Sequence, residues 1–209
     1  MENLKLFDVA KALGLSKTTV SKVLNNYSDV SQFTRIKVLN YVKKVGFEPN
    51  RQASSLRKKE TKTIAIILPE INHDFYNIVQ EGILSVSQKN DYNLCVAISN
   101  ESYETEKKLV YQFLGRNVDA IFLSLCNETK NFDHLKAIQE QGKVLGMFDK
   151  IEKTINCPKI IVDDRKASFL ATEHLIKNGC KNILHFRGGF QPQISIDRYL
   201  GYRDALNKH

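Results

Sequence analysis

Nothing in this sequence approaches the ~20 consecutive apolar residues that cross a bilayer. The N-terminus, Met1-Glu-Asn-Leu-Lys-Leu-Phe-Asp8, has neither the apolar stretch nor the small-residue cleavage site of a secretory signal, so the chain is expected to stay in the cytoplasm. Cysteine is sparse. Cys95, Cys126, Cys157 and Cys180 stand far apart and form no C-x-x-C pair, which argues against a metal site or disulfide framework and for small buried hydrophobes in a reducing compartment. No G-x-G-x-x-G follows a strand, and neither G-x-x-x-x-G-K-[ST] nor G-x-S-x-G occurs, so an enzyme is not expected. His134, His174 and His185 lack partners at metal or catalytic spacing and read as structural; no cofactor or metal is expected. Internal repeats and low-complexity tracts are also missing.

What is present is ordinary globular composition, 42% hydrophobic and 26% charged, with one asymmetry. The net charge is +8, and residues 1–60 carry 12 Lys or Arg against 5 Asp or Glu, which is +7 of that total. A basic module on a near-neutral body points to a polyanion at one end, or to no more than a solubilising face.

The first 60 residues read as short helices. Leu6, Val9, Ala10 and Leu13 recur at helical period and Gly14 breaks the run. Ser16 caps a second helix from Lys17 to about Leu24, and Asn25 to Asp29 form a polar loop. Ser31 caps a third helix with an apolar stripe of Val38, Leu39, Val42 and Val45, ending near Gly46, before Pro49. From residue 63 short apolar runs alternate with amphipathic segments. Strands are expected at Thr63–Leu68, Asn93–Ser99, Asp119–Leu125, Val144–Phe148, Lys159–Val162 and Lys181–Phe186. Helices are expected at Asp74–Lys89, Tyr103–Leu114, Asn131–Gln141, Lys166–Asn178 and Ile196–Asn207. Ile-, Val- and Leu-rich strands alternating with helices give an α/β, doubly wound parallel sheet behind an all-α head.

Ala10, Gly14 and Val20 have the spacing of a helix-turn-helix. A small residue lets the second helix approach, glycine makes the turn, and an apolar residue anchors helix two. The polar face of helix two is then Lys17, Thr18, Ser21 and Lys22, suited to base edges or phosphates. Ser16, Thr19, Asn25, Ser31 and Thr34 lie at helix ends or in loops, suited to phosphates. A three-helix bundle with a solvated lysine face has the same spacing.

The run Leu6-Phe-Asp-Val-Ala-Lys-Ala-Leu-Gly-Leu-Ser-Lys-Thr-Thr-Val-Ser-Lys-Val-Leu-Asn25 resembles the signature of the lactose/galactose repressor family. The likeness continues through Val30-Ser31, Thr34-Arg35, Val38, Gly46-Phe47, Pro49-Asn50, Ala53, Leu56-Arg57 and Thr63-Ile64-Ala65-Ile66. The resemblance implies that Lys17, Thr18 and Lys22 enter the major groove. Lys22 stands where many members carry Arg, which keeps the charge and loses the bidentate fork. It also implies that Asn50–Arg57 is a hinge helix, too short to hold alone. Paired on DNA through Ala53, it would insert Leu56 into the minor groove. The organisation implied is a DNA-binding domain at 1–48, hinge and linker at 49–62, a sensor N-subdomain at 63–162 and part of a C-subdomain at 163–209. The sensor is periplasmic-binding-protein-like and truncated relative to the family, so weak effector binding or none is expected of this chain.

A doubly wound sheet binds ligands beyond the carboxyl ends of its strands. There the resemblance places Phe75, Tyr76, Ser124, Asp149 and Arg198 against a small-molecule effector, by default a carbohydrate or derivative. Phe75 could instead close the subdomain core, Asp149 could serve as a helix-cap partner, and Asp163 and Asp164 could cap the following helix. Arg198, expected in a helix's first turn, opposes the macrodipole and so reads as functional. The function implied is a sequence-specific, homodimeric transcription regulator, by default a repressor, on a pseudopalindromic double-stranded DNA operator, with no membrane partner. The competing readings are a solute-binding module without regulatory role and a non-functional truncated regulator.

Overall fold

In the computed structural model, which describes residues 4–47, 60–71, 74–189 and 192–209, the first helices begin and end where local groups satisfy their terminal hydrogen bonds. Helix α1, Leu6–Leu13, stops at Gly14, whose left-handed φ of 66° suits a residue without Cβ. Helix α2, Lys17–Leu24, starts at Ser16, whose Oγ accepts from the Thr19 amide at 3.0 Å. Helix α3, Gln32–Val45, starts at Ser31 in the same way. Val9, Ala10, Val20, Val23, Val38 and Phe47 form the buried centre of this unit. Leu39 departs from the expected stripe. It is 45% exposed, and Tyr41 packs against the core in its place. Positions 38, 41, 42 and 45 share one helix face, and residue 39 is turned ~100° from Val38.

The chain divides into two compact units, Met1–Lys58 and Lys59–His209. The second unit is a five-stranded sheet in the order β2-β1-β3-β4-β5, parallel at every pairing. Its strands are β1 Thr63–Leu68, β2 Asn93–Ile98, β3 Ala120–Leu123, β4 Val144–Phe148 and β5 Lys159–Ile160. Between them run α4 Asp74–Lys89, α5 Tyr103–Gly115 and α6 Asp133–Glu140. Alternation along β1 explains the layering. Ala65 and Ile67 face Val110, Phe113 and Leu114 of α5 and Leu135 and Ile138 of α6. Ile66 and Leu68 face Tyr76, Val79 and Ile83 of α4. Just before β3, the Asp119 carboxylate accepts from the amides of Thr61 and Lys62, both at 2.8 Å, and fixes the chain where it enters β1.

Helices α7, Asp164–Lys177, and α8, Gln193–Lys208, pack on each other. Three expectations fail in or beside this region. Residues 181–186 form no strand, and Leu184 and Phe186 are 76% and 88% exposed. A parallel strand needs a neighbour to complete its ladder, and among the described residues none pairs with this segment. For the same reason β5 is two residues long and not four. Helix α8 begins at Gln193, three residues earlier than expected, directly after Pro192, which cannot continue a helix backwards.

The crossing of α7 and α8 is set by Gly201. A Cβ there would lie 2.0 Å from the Arg165 carbonyl oxygen and 2.9 Å from the Phe169 amide nitrogen. Gly201→Ala therefore forces the helices apart, and chemical denaturation should show a loss of about 1–3 kcal/mol. Gly82→Ala, in α4 with open space around it, should instead gain up to about 1 kcal/mol.

Candidate DNA interface and effector site

In the first unit the face of α2 turned away from buried Val20 and Val23 carries exposed Lys17 and Thr18 and half-buried Ser21 and Lys22; exposed Ser16 precedes the helix and half-buried Thr19 lies beside the buried side. Several of these side chains are already engaged. Ser16 Oγ and Thr19 Oγ1 lie 2.8 Å apart, and Ser31 Oγ and Thr34 Oγ1 lie 2.9 Å apart, so these hydroxyls hold the helix starts. Asn25 Nδ2 donates to the Ser21 carbonyl at 2.8 Å and closes the end of α2. The Lys17 ammonium lies 4.6 Å from the Phe7 ring centroid. Lys22 pairs with Asp29, and that pairing holds the Asp29 carboxyl below the usual carboxylate range. Sequence reasoning missed Asp29, whose only local signal is its place in the polar loop after α2. Asn50, Ala53 and Leu56 lie outside the described residues.

In the second unit three expected residues meet at the carboxyl edge of the sheet. Tyr76, 3% exposed in the first turn of α4, donates its hydroxyl to Asp149 Oδ2 at 2.7 Å. Ser124, buried just past β3, donates to the same oxygen at 3.3 Å. Asp149 follows β4 with a left-handed φ of 57°, a conformation that aspartate tolerates better than most residues. Burial, with Asp149 adding to it, pushes ionisation of the Tyr76 phenol far above its ordinary range, so the hydroxyl remains a donor. A carboxylate oriented by two hydroxyls can receive hydrogen bonds from a polyhydroxylated ligand. The Asp149 carboxylate belongs to this trio. Phe75 does not close the core. It is 41% exposed and meets Tyr76 edge-on at 5.3 Å between centroids.

Arg198 is a correction. Because α8 starts at Gln193, it lies beyond the first turn, so the dipole argument for a functional role falls. Its Nε donates to Asp164 Oδ1 at 2.7 Å, which ties α8 to the start of α7. Asp163 caps α7 by accepting from the Lys166 amide at 3.0 Å.

The loop after β3 is held by acids that sequence reasoning did not single out. Glu106 of α5 is fully buried. It accepts from the Cys126 amide at 2.7 Å and from Thr129 Oγ1 at 2.9 Å, and it pairs with His134 Nε2 at 2.9 Å. The imidazole is therefore structural, with a partner 28 residues away in sequence that no local pattern marks. Among the described residues no cluster of His, Cys, Asp and Glu could hold a metal ion, and no helix is long and apolar enough to cross a membrane.

The family models agree with this division. Residues 5–50 match bacterial regulatory proteins of the lacI family, and residues 61–209 match the periplasmic binding proteins and sugar binding domain of the LacI family. The chain belongs to the LacI family. It is 31% identical over 207 residues to catabolite control protein A of Priestia megaterium, covering 99% of this chain and 62% of that protein. It is 34% identical over 203 residues to the HTH-type transcriptional regulator RegA of Clostridium saccharobutylicum, covering 96% of this chain and 60% of the relative. This LacI-family chain thus spans about three fifths of the length of these relatives. Its fold matches that of the lac repressor dimer bound to operator and the anti-inducer ONPF, with a TM-score of 0.83 at 22% identity, over 99% of this chain and 62% of that one.

Burial and the nearby Glu106 push the Cys126 thiol up to about 12, whereas Cys180 is exposed. At pH 8 a thiol reagent should label Cys180 and spare Cys126 in the native chain. Labelling of Cys126 should require unfolding or strong alkali, as mass spectrometry of modified peptides would show.

Proposed function

We propose that this chain acts in a cytoplasmic, sequence-specific DNA-binding transcription regulator, a repressor, that works as a homodimer on a pseudopalindromic operator. The observation that carries this reading is the exposed Lys17–Thr18 face of α2, fixed by capped ends and a buried Val20–Val23 anchor, on the module that holds +7 of the net charge. Such a helix presents lysine to guanine edges in the major groove while capped helix starts meet phosphates. Lys17, Thr18, Ser21 and Lys22 read bases in this proposal. Ser16, Thr19, Asn25, Ser31, Thr34 and Asn50 position the backbone, and Ala53 and Leu56 belong to the hinge. Membership of a family of regulators, with a relative named as a transcriptional regulator, supports the reading over an enzyme or a plain solute receptor. The Tyr76–Ser124–Asp149 trio, flanked by Phe75, receives a sugar-like effector. Arg198 joins it only if it leaves Asp164. Effector binding then biases the geometry of the paired heads, a two-state coupling between sites.

Selection from a random duplex pool should return a pseudopalindrome, with the logarithm of the affinity falling linearly with the logarithm of the salt concentration. Sequence-blind binding at every salt concentration would overturn the reading. Lys17→Ala should relax preference at one position in each half-site and cost about 1–3 kcal/mol there. Asp29→Asn releases Lys22 from its ion pair. Binding to nonspecific duplex should tighten, and the salt slope should steepen by about one. An unchanged slope would show that Lys22 does not reach phosphate or base.

A further inference from the structure

We propose that Glu101, just beyond β2, is the positioning residue for the Tyr76–Ser124–Asp149 trio, acting through buried Lys150 and the loop after β3. Asn100 and Glu101 are consecutive left-handed residues, with φ of 52° and 56°. Asparagine enters that region readily because its short amide bonds to nearby backbone; glutamate has no such compensation. The conformation of Glu101 must therefore be repaid by its contacts, and these reach every neighbouring loop at the carboxyl edge. Its amide donates to the Pro69 carbonyl, after β1, at 2.9 Å. Its Oε2 accepts from the Asn127 amide, after β3, at 2.6 Å. Its Oε1 pairs with the Lys150 ammonium, after β4, and that ammonium also donates to Asn127 Oδ1 at 3.1 Å.

Lys150 is the adjacent residue to Asp149 and is 8% exposed. A buried ammonium needs a counter-charge, and Glu101 supplies it. With the lysine held, its carbonyl accepts from the Leu125 amide at 2.9 Å and its own amide donates to Ser124 Oγ at 3.4 Å. Ser124 and Asp149 are thus held in register just past the strand ends, by one backbone bond between the residues that follow them and one amide-to-hydroxyl bond onto Ser124 itself. From the other side of the same loop, Glu106 takes the Cys126 amide. Two successive amides, of Cys126 and Asn127, end on two different carboxylates, and charge-assisted bonds of this kind are the stronger ones. A residue that only closed a turn would need neither the ion pair nor the bond to Asn127. That the trio takes an effector rests on the function proposed above; the positioning by Glu101 does not.

The test reads amide hydrogen exchange and the Tyr76 ring resonances in the full chain, with no effector or DNA present. In Glu101→Gln, exchange at Leu125 and Asn127 should accelerate about tenfold or more, as expected for the loss of bonds to a charged group. The Tyr76 ring resonances should shift, while Ile66 and Ile121, in the paired strands, should exchange as before. Glu101→Gly, which relaxes the left-handed φ but carries no carboxylate, should behave like Glu101→Gln. If Glu101→Gln fails to fold, Lys150→Met gives the same reading: Leu125 and Tyr76 respond, and Asn127, still bound to Glu101, does not. Unchanged exchange at Leu125 and Asn127, an unmoved Tyr76, or uniform acceleration through the whole sheet would overturn the proposal. Because the readout is local, a failure of operator binding would leave it intact.

Discussion

The second unit depends on β1 being paired on both sides. A parallel strand has no hairpin to complete its ladder, so each neighbour must be delivered by a crossover helix. The pairings of β1 with β2 and β3 place α4 on one face of the sheet and α5 and α6 on the other. That arrangement buries Ile66 and Ile67 on opposite faces and brings the carboxyl ends of β1, β3 and β4 to one edge. Tyr76, Ser124 and Asp149 meet because their strands end together. They are separated by 48 and 25 residues in sequence, and no local preference would gather them.

Much of this organisation can be read directly in the residues. The helix limits of the first unit follow from Ser16, Ser31, Gly14 and Gly46, all of which act on their immediate neighbours. Strands β1 and β4 run over the residues expected from their continuous apolar character. The rule about where ligands sit on such sheets points to the residues just beyond each strand, and the family resemblance picks the members of the trio from among them.

What could not be read was fixed by distant or missing partners. The apolar run at 181–186 has strand character, but a strand is a property of a pair, and among the described residues that pair is lacking. Arg198 was misplaced because helix starts are uncertain by a few residues, and one turn reverses the macrodipole argument. Glu106–His134 and Glu101–Lys150 join acids and bases 28 and 49 residues apart. Each partner alone is an unremarkable charged residue on a helix or in a loop.

One detail at the opposite edge bears on how the unit deforms. Asp119 grips the backbone of Thr61 and Lys62, and Ser124 carries the hydroxyl of the trio. They flank a strand of only four residues, so roughly 16 Å of extended backbone separates them. β3 is hydrogen-bonded to β1 on one side and β4 on the other, which leaves it little freedom to flex. It is a strut that holds the serine and the aspartate at a fixed separation. The entry of the chain into the sheet therefore rides on the same rod that carries one of the trio's hydroxyls.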